Sequence, residues 1–144
     1  MIESAKAFIE DENDLIALLS NLSALINIYI DEINWVGFYL LKGEELVLGP
    51  FQGLPACTRI GKGKGVCGKA ALDAKPIIVA DVHQFPGHIV CDSASASELV
   101  IPFFKGGKVY GVLDLDSPLP GRFSEPEAEC LGRICEMLTA FLDA

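Results

Sequence analysis

LVIPFFKGGKVYGVLDLDS, residues 99–117, is the stretch whose reading decides the fold. Leu99 to Phe104 and Lys108 to Leu115 are rich in β-branched and aromatic residues and flank Gly106-Gly107, a pair that tolerates the positive φ of a tight turn. The segment therefore reads as two antiparallel strands joined by a hairpin. Asp114 and Asp116 lie two apart on the second strand, so period-two alternation puts them on one face with Val112 and Tyr110. Two carboxylates on an apolar strand need a reason. Either the strand end is exposed to solvent, or that face lines a site.

Working outward, Ser124 with Glu127 three residues on is a capping-box pattern, and Leu131, Ile134, Leu138 and Phe141 give the helix that follows a core stripe. Cys135 beside that stripe, and Cys130, read as small buried residues. Upstream, Pro76 to Ala80 is a short strand and Val66 to Ala74 a short helix opened by a glycine-rich turn. Asn34 to Leu41 and Glu45 to Phe51 form another hairpin around Lys42-Gly43. Asp14 caps a helix in which Leu15, Leu18, Leu19, Leu22, Leu25 and Ile26 recur at three and four, ending near Tyr29 to Asp31. Asp81 to Ser97 holds few apolar residues and is too long for a mere turn, which suggests a functional loop. This order predicts an α+β fold: a mostly antiparallel central sheet, helices collected on one side, the N- and C-terminal ones covering one face and the other left for loops and a ligand. The layout resembles a GAF domain.

Composition bounds the setting. With 144 residues, 51% of them hydrophobic, and a mean hydropathy of +0.39, the chain suits one domain, 1–144, with a core that needs no staples. The start, MIESAKAFIEDEND, has no basic n-region or apolar h-region, and no apolar run approaches the ~18 residues of a spanning helix, so a cytoplasmic protein is expected. A net charge of −9 disfavours nucleic acid and anionic membrane as partners. A cationic or zwitterionic small molecule is easier to accommodate. Lys62, Lys64 and Lys69 read as solvated loop charge, because GKGKGVCGKA lacks the Gly-Lys-Ser/Thr triplet of a phosphate loop.

Five cysteines is an odd number, so reduced thiols are simpler than a fully paired disulfide framework. Cys57, Cys67 and Cys91 sit in Gly- and Pro-rich connecting sequence, where a thiol is accessible and more suited to redox, catalytic or metal chemistry than to packing. A metal site built from Cys57, Cys67, Cys91, His83 and His88 would lack the close paired spacing of structural zinc sites.

The segments NWVGFYLL, ELVLGPFQGLPAC, GKGVCG, VADVHQFPGHIVCDSASASELVIP and GVLDLDS together resemble the signature of the free methionine-(R)-sulfoxide reductases, a catalytic branch of the GAF fold, and the likeness runs from about Asp14 to Phe141. It implies reduction of free L-methionine (R)-sulfoxide, with electrons from thioredoxin and no bound cofactor or metal. By position, Cys91 matches the attacking cysteine, Cys57 the principal resolving cysteine and Cys67 a secondary thiol. Glu98, Asp114 and Asp116 match the acidic substrate site, with Glu98 and Asp116 also counted among the catalytic residues, while Trp35 and Tyr39 match its aromatic wall. A homodimer is common in GAF domains.

Sulfoxide reduction needs a thiolate, a proton for the departing oxygen, and a second thiol to collapse the sulfenic acid. His88 is a candidate base for Cys91, or a local hydrogen-bonding residue of its loop. Repulsion between Asp114 and Asp116 would raise one pKa enough to hold the proton, and the pair would receive the substrate ammonium. A peptide-bound methionine lacks that ammonium, and the substrate carboxylate would need backbone donors. Glu98 joins the aspartates only if the hairpin register allows it. A two-residue loop pairs Glu98 with Leu115 and faces it away; a three-residue loop or a bulge near Pro102 sets it against Asp116. Trp35 and Tyr39 share parity, and Gly37 between them leaves a gap for a methyl thioether. Cys67, near a helix N-terminus that would favour thiolate, is either a disulfide relay or a bystander. The rival to an enzyme is a GAF-type sensor that uses Cys57 and Cys91 without turnover.

Overall fold

The structure is a computed structural model and describes residues 1–88 and 94–144. In chain order the elements are α1 (Ile2–Asp11), α2 (Leu15–Tyr29), β1 (Trp35–Lys42), β2 (Glu45–Gly53), β3 (Arg59–Gly61), α3 (Gly65–Asp73), β4 (Ile77–Val79), a 3-10 turn (Val82–Gln84), β5 (Ser97–Lys105), β6 (Lys108–Ser117) and α4 (Glu125–Asp143). The strands form one antiparallel sheet in the order β3-β2-β1-β6-β5-β4.

The caps read in the sequence are formed. Asp14 accepts the Ala17 N–H at 2.9 Å. Ser124 and Glu127 make both halves of the capping box, which satisfies N–H groups that the first helical turn leaves without partners. Helices α1, α2 and α4 lie on one face of the sheet and share a core with alternate strand residues: Leu19, Leu22, Ile26, Leu131, Ile134 and Leu138 meet Val36, Phe38, Ile101, Phe103, Leu113 and Leu115. Cys135 is buried there as expected, but Cys130 is only half-buried.

Helix α3 departs from the expected layout. It packs on the opposite face, where Val66, Cys67, Ala70 and Ala71 meet Trp35, Tyr39, Val100 and Val112. The sheet is therefore covered on both sides, and the ligand face is a gap between α3 and the strands. Gly68 permits the close packing of α3 on the turn before it: its carbonyl accepts the Gly63 N–H at 2.8 Å, and a Cβ there would strike the Gly61 carbonyl oxygen. No helix among the described residues is long and apolar enough to cross a membrane.

The hairpin at Gly106-Gly107 has the two-residue loop, with Lys105 opposite Lys108, yet Glu98 pairs with Asp116. A bulge reconciles the two. Phe103 pairs with Gly111 and Phe104 with Val109, so Tyr110 is an extra residue on β6. The bulge also corrects the expected face of Tyr110. It packs with the helix-side core, its ring centroid 6.2 Å from that of Phe103, while Val112 belongs to the α3 side.

Candidate functional site

A cavity opens between α3 and the sheet, lined by Trp35 and Tyr39 of β1, Ile60 of β3, Gly65, Val66 and Cys67 of α3, Glu98 of β5, and Asp114 and Asp116 of β6. Ala56, Lys64, His88 and Ser95 complete it from the connections. Strand pairing explains the convergence. Trp35 and Glu98 both lie opposite Asp116, Gly37 lies opposite Asp114, and Tyr39 opposite Val112, so alternate residues of three adjacent strands face the same space.

The acidic group sits deep. Glu98 is 6% exposed and Asp114 5%, and Asp114 Oδ1 has no hydrogen-bond partner among the described residues. Asp116 is half-buried at the rim of the group. Burial, and then the charge of Asp116, push the Glu98 carboxyl up to about 8. Burial, and then Glu98, hold Asp114 well above the usual carboxylate range. Two carboxyls in this state retain a proton near neutral pH.

Cys67 is 4% exposed and lies in the first turn of α3, where the helix dipole alone would favour a thiolate. The structure reverses that expectation. Burial and the neighbouring Asp114 and Glu98 push the thiol well up. It donates to Glu98 Oε2 at 3.8 Å. Cys67 is thus not an accessible loop thiol. Cys57 is half-buried and disulfide-bonded, whereas Cys67, Cys130 and Cys135 are free. Cys91 lies outside the described residues.

Trp35 and Tyr39 form the aromatic wall, with ring centroids 5.9 Å apart and planes at 25°. Their polar ends tie down the segment carrying Cys57: Trp35 Nε1 donates to the Leu54 carbonyl at 3.1 Å, and the Tyr39 hydroxyl to the Cys57 carbonyl at 2.8 Å. The gap expected over Gly37 is filled. Trp35 stacks on Phe51 at 5.2 Å, and a Cβ on Gly37 would strike Phe51 and approach Trp35 Cη2 to 2.8 Å. Gly37 therefore lets two large rings close over the strand.

His88 borders the cavity, and its Nδ1 is buried without a partner among the described residues. Burial, and then His83 with its ring centroid 6.4 Å away, lower its pKa, so the imidazole is neutral near pH 7. Among the described residues the histidines take no part in a metal-capable cluster; the cluster there is Cys67, Glu98 and Asp114.

Lys64 and the start of α3 were not anticipated at the site. Lys64, read as loop charge, is the N-cap of α3, with no side-chain cap bond, and lines the cavity with Gly65 and Val66. The positive end of a helix thus faces three carboxylates across one cavity. GKGV carries the signal, since a glycine with φ of +59° at Gly65 lets the backbone turn toward a ligand.

The GAF domain family model matches residues 12–143. The chain is 45% identical over 136 residues to the free methionine-R-sulfoxide reductase of Escherichia coli, covering 94% of this chain and 82% of that protein. It superposes on the reduced form of fRMsr of Staphylococcus aureus with a TM-score of 0.94 and 54% identity, covering 97% of this chain and 91% of that one. The same S. aureus protein in complex with its substrate gives a TM-score of 0.92 with 53% identity, over 97% and 92% of the two chains. With the carboxylates, the aromatic wall and the cysteine spacing in place, the chain belongs to the GAF-domain family and, within it, to the free methionine-R-sulfoxide reductases.

Proposed function

We propose that the chain reduces free methionine (R)-sulfoxide to methionine. The observation that carries this reading is the convergence of Glu98, Asp114 and Asp116 opposite the N-terminus of α3, beside the Trp35–Tyr39 wall. A free amino acid is a zwitterion, and such a cavity supplies a receiver for each charge. The carboxylates take the ammonium, while the N–H groups of the first turn of α3, with Lys64, take the carboxylate. The aromatic wall lies against the apolar part of the side chain and its methyl group.

In the chemical step the Cys91 thiolate attacks the sulfoxide sulfur, and a buried carboxyl of the Glu98–Asp114 pair gives a proton to the sulfoxide oxygen. Oxygen leaves with the enzyme as a Cys91 sulfenic acid, and methionine is released. The Cys57 thiol then attacks the sulfenic sulfur, forming a disulfide and expelling water. A dithiol, thioredoxin, reduces that disulfide and returns the enzyme to its starting state. Support for Cys57 as resolving thiol comes from its disulfide and from its tie to Tyr39, whereas Cys67 is enclosed and bonded to Glu98.

The test is NADPH consumption by thioredoxin and thioredoxin reductase with this protein and free methionine (R)-sulfoxide, run beside the S epimer, a blocked peptide-like sulfoxide and Cys91→Ser. Turnover confined to the free R form and abolished in Cys91→Ser is expected. Turnover of the blocked sulfoxide would refute the ammonium role. No turnover of any sulfoxide by protein with reduced, titratable thiols would leave a sensor.

A further inference from the structure

The same cavity holds a donor set that the redox cycle does not use as such. One ligand atom from each of Cys67, Glu98 and Asp114 lies within 4.8 Å of the others, and all three residues are buried. A tetrahedral zinc ion, with metal–sulfur bonds of about 2.3 Å and metal–oxygen bonds of about 2.0 Å, holds its sulfur and oxygen ligands about 3.5 Å apart. The Cys67 Sγ to Glu98 Oε2 distance is 3.8 Å, close to that requirement. Asp114 Oδ1 is buried and has no hydrogen-bond partner among the described residues, so the cluster carries a lone-pair donor that no described group uses. One thiol and two carboxylates suit a borderline ion such as zinc better than magnesium or calcium, which prefer an all-oxygen shell. Three protein donors leave a fourth position open to the cavity, which the same residues line.

We propose that Cys67, Glu98 and Asp114 form an inhibitory binding site for a thiophilic divalent cation, zinc by chemical class, which excludes the cationic end of the substrate. The binding stands on the cluster itself; only the competition rests on the reading of the site as one for a free amino acid. On binding, the Cys67 thiol and the carboxyl pair give up their protons, so two negative oxygens and a thiolate face the ion. No electron moves, and the inhibition is reversible by a chelator. Cys67 then acts through its position, as the soft donor that makes this acidic pocket selective for zinc.

The experiment uses the protein in its disulfide form, in which Cys57 is not a competing thiol and Cys67, Cys130 and Cys135 are the free ones. Cobalt(II) serves as a coloured substitute for zinc, and zinc affinity is read by competition with a chromophoric chelator. The expected result is one ion per chain with a thiolate-to-cobalt charge-transfer band. Cys67→Ser should abolish that band, and Cys67→Ser and Asp114→Asn should each weaken affinity at least about tenfold. Cys130→Ser should leave both unchanged. Circular dichroism checks each variant, and the band in the unmodified protein reports thiolate ligation without any variant. Absence of a bound ion at millimolar cobalt or zinc, or binding that survives Cys67→Ser and Asp114→Asn, would overturn the site. In turnover assays on the reduced enzyme, free zinc should raise KM for the sulfoxide without changing kcat; a fall in kcat at constant KM would refute the competition.

Discussion

Replacing Glu98 by Gln gives a direct test of the buried carboxyl pair. Glu98 has the usual carboxylate pKa of about 4.5 when the chain is unfolded and about 8 in the folded protein, where burial and then the charge of Asp116 raise it by more than its hydrogen bonds with Asp114 and Cys67 lower it. Below pH 4.5 the group is protonated in both states and costs no stability. Between pH 4.5 and 8 the unfolded chain loses a proton that the native state keeps, so stability falls as pH rises, by about 1.4 kcal/mol per pH unit for this one group. Over the whole window that is roughly 5 kcal/mol, a large part of a domain's stability. Gln keeps the size and neutrality of the protonated acid and does not titrate. Urea unfolding of the disulfide form, in chelator and at half-unit steps from pH 5 to 8, measures the difference. The two proteins should be about equally stable at pH 5, and the Gln variant should be the more stable by several kcal/mol at pH 8. Parallel stability curves would refute the claim that Glu98 holds its proton in the folded state.

Two further substitutions test the scaffold. Gly68→Ala should destabilise by about 1–3 kcal/mol in thermal or urea unfolding, although Ala is the better helix former, because a Cβ would strike the Gly61 carbonyl oxygen; a stabilised variant would show that α3 is not packed this tightly on its turn. Ser124→Ala should cost about 1 kcal/mol by the same measure, since it removes the side chain that receives the Glu127 N–H; no loss would mean that the cap contributes nothing.

The sequence shows the hairpins, the α2 and α4 caps and the acidic face because each has a local cause: alternation, a glycine pair, a side-chain oxygen one turn before a stripe. The three-residue strand β3 is too short to carry a period of its own and forms because β2 offers it partners. Helix α1 has no side-chain cap, and its apolar residues, led by Ala5, are held by packing in the helix-side core. Its acidic composition masked that stripe. The gap that the parity of Trp35 and Tyr39 suggests at Gly37 is closed because Phe51, which fills it, arrives through a bulge in β2 between Leu48 and Phe51, a register shift that composition does not reveal. Likewise, GKGV read alone is a charged loop. Only the placement of α3 across the sheet turns Lys64, Gly65 and Val66 into the counterpart of three carboxylates.

The extra residue at Tyr110 also bears on how the chain finds its fold. A hairpin nucleated at Gly106-Gly107 can zip straight, without the bulge, and satisfy just as many backbone bonds. In that pairing every β6 residue beyond the turn would be reversed relative to β5. Asp114 and Asp116 would then enter the oily layer against α2 and α4, and Leu113 and Leu115 would turn outward. Burying two charges among leucines is costly enough to make the straight hairpin a dead end. The acidic residues that define the cavity thus also act as proofreaders of strand pairing, so replacing them with apolar side chains would be expected to blur the register as well as empty the site.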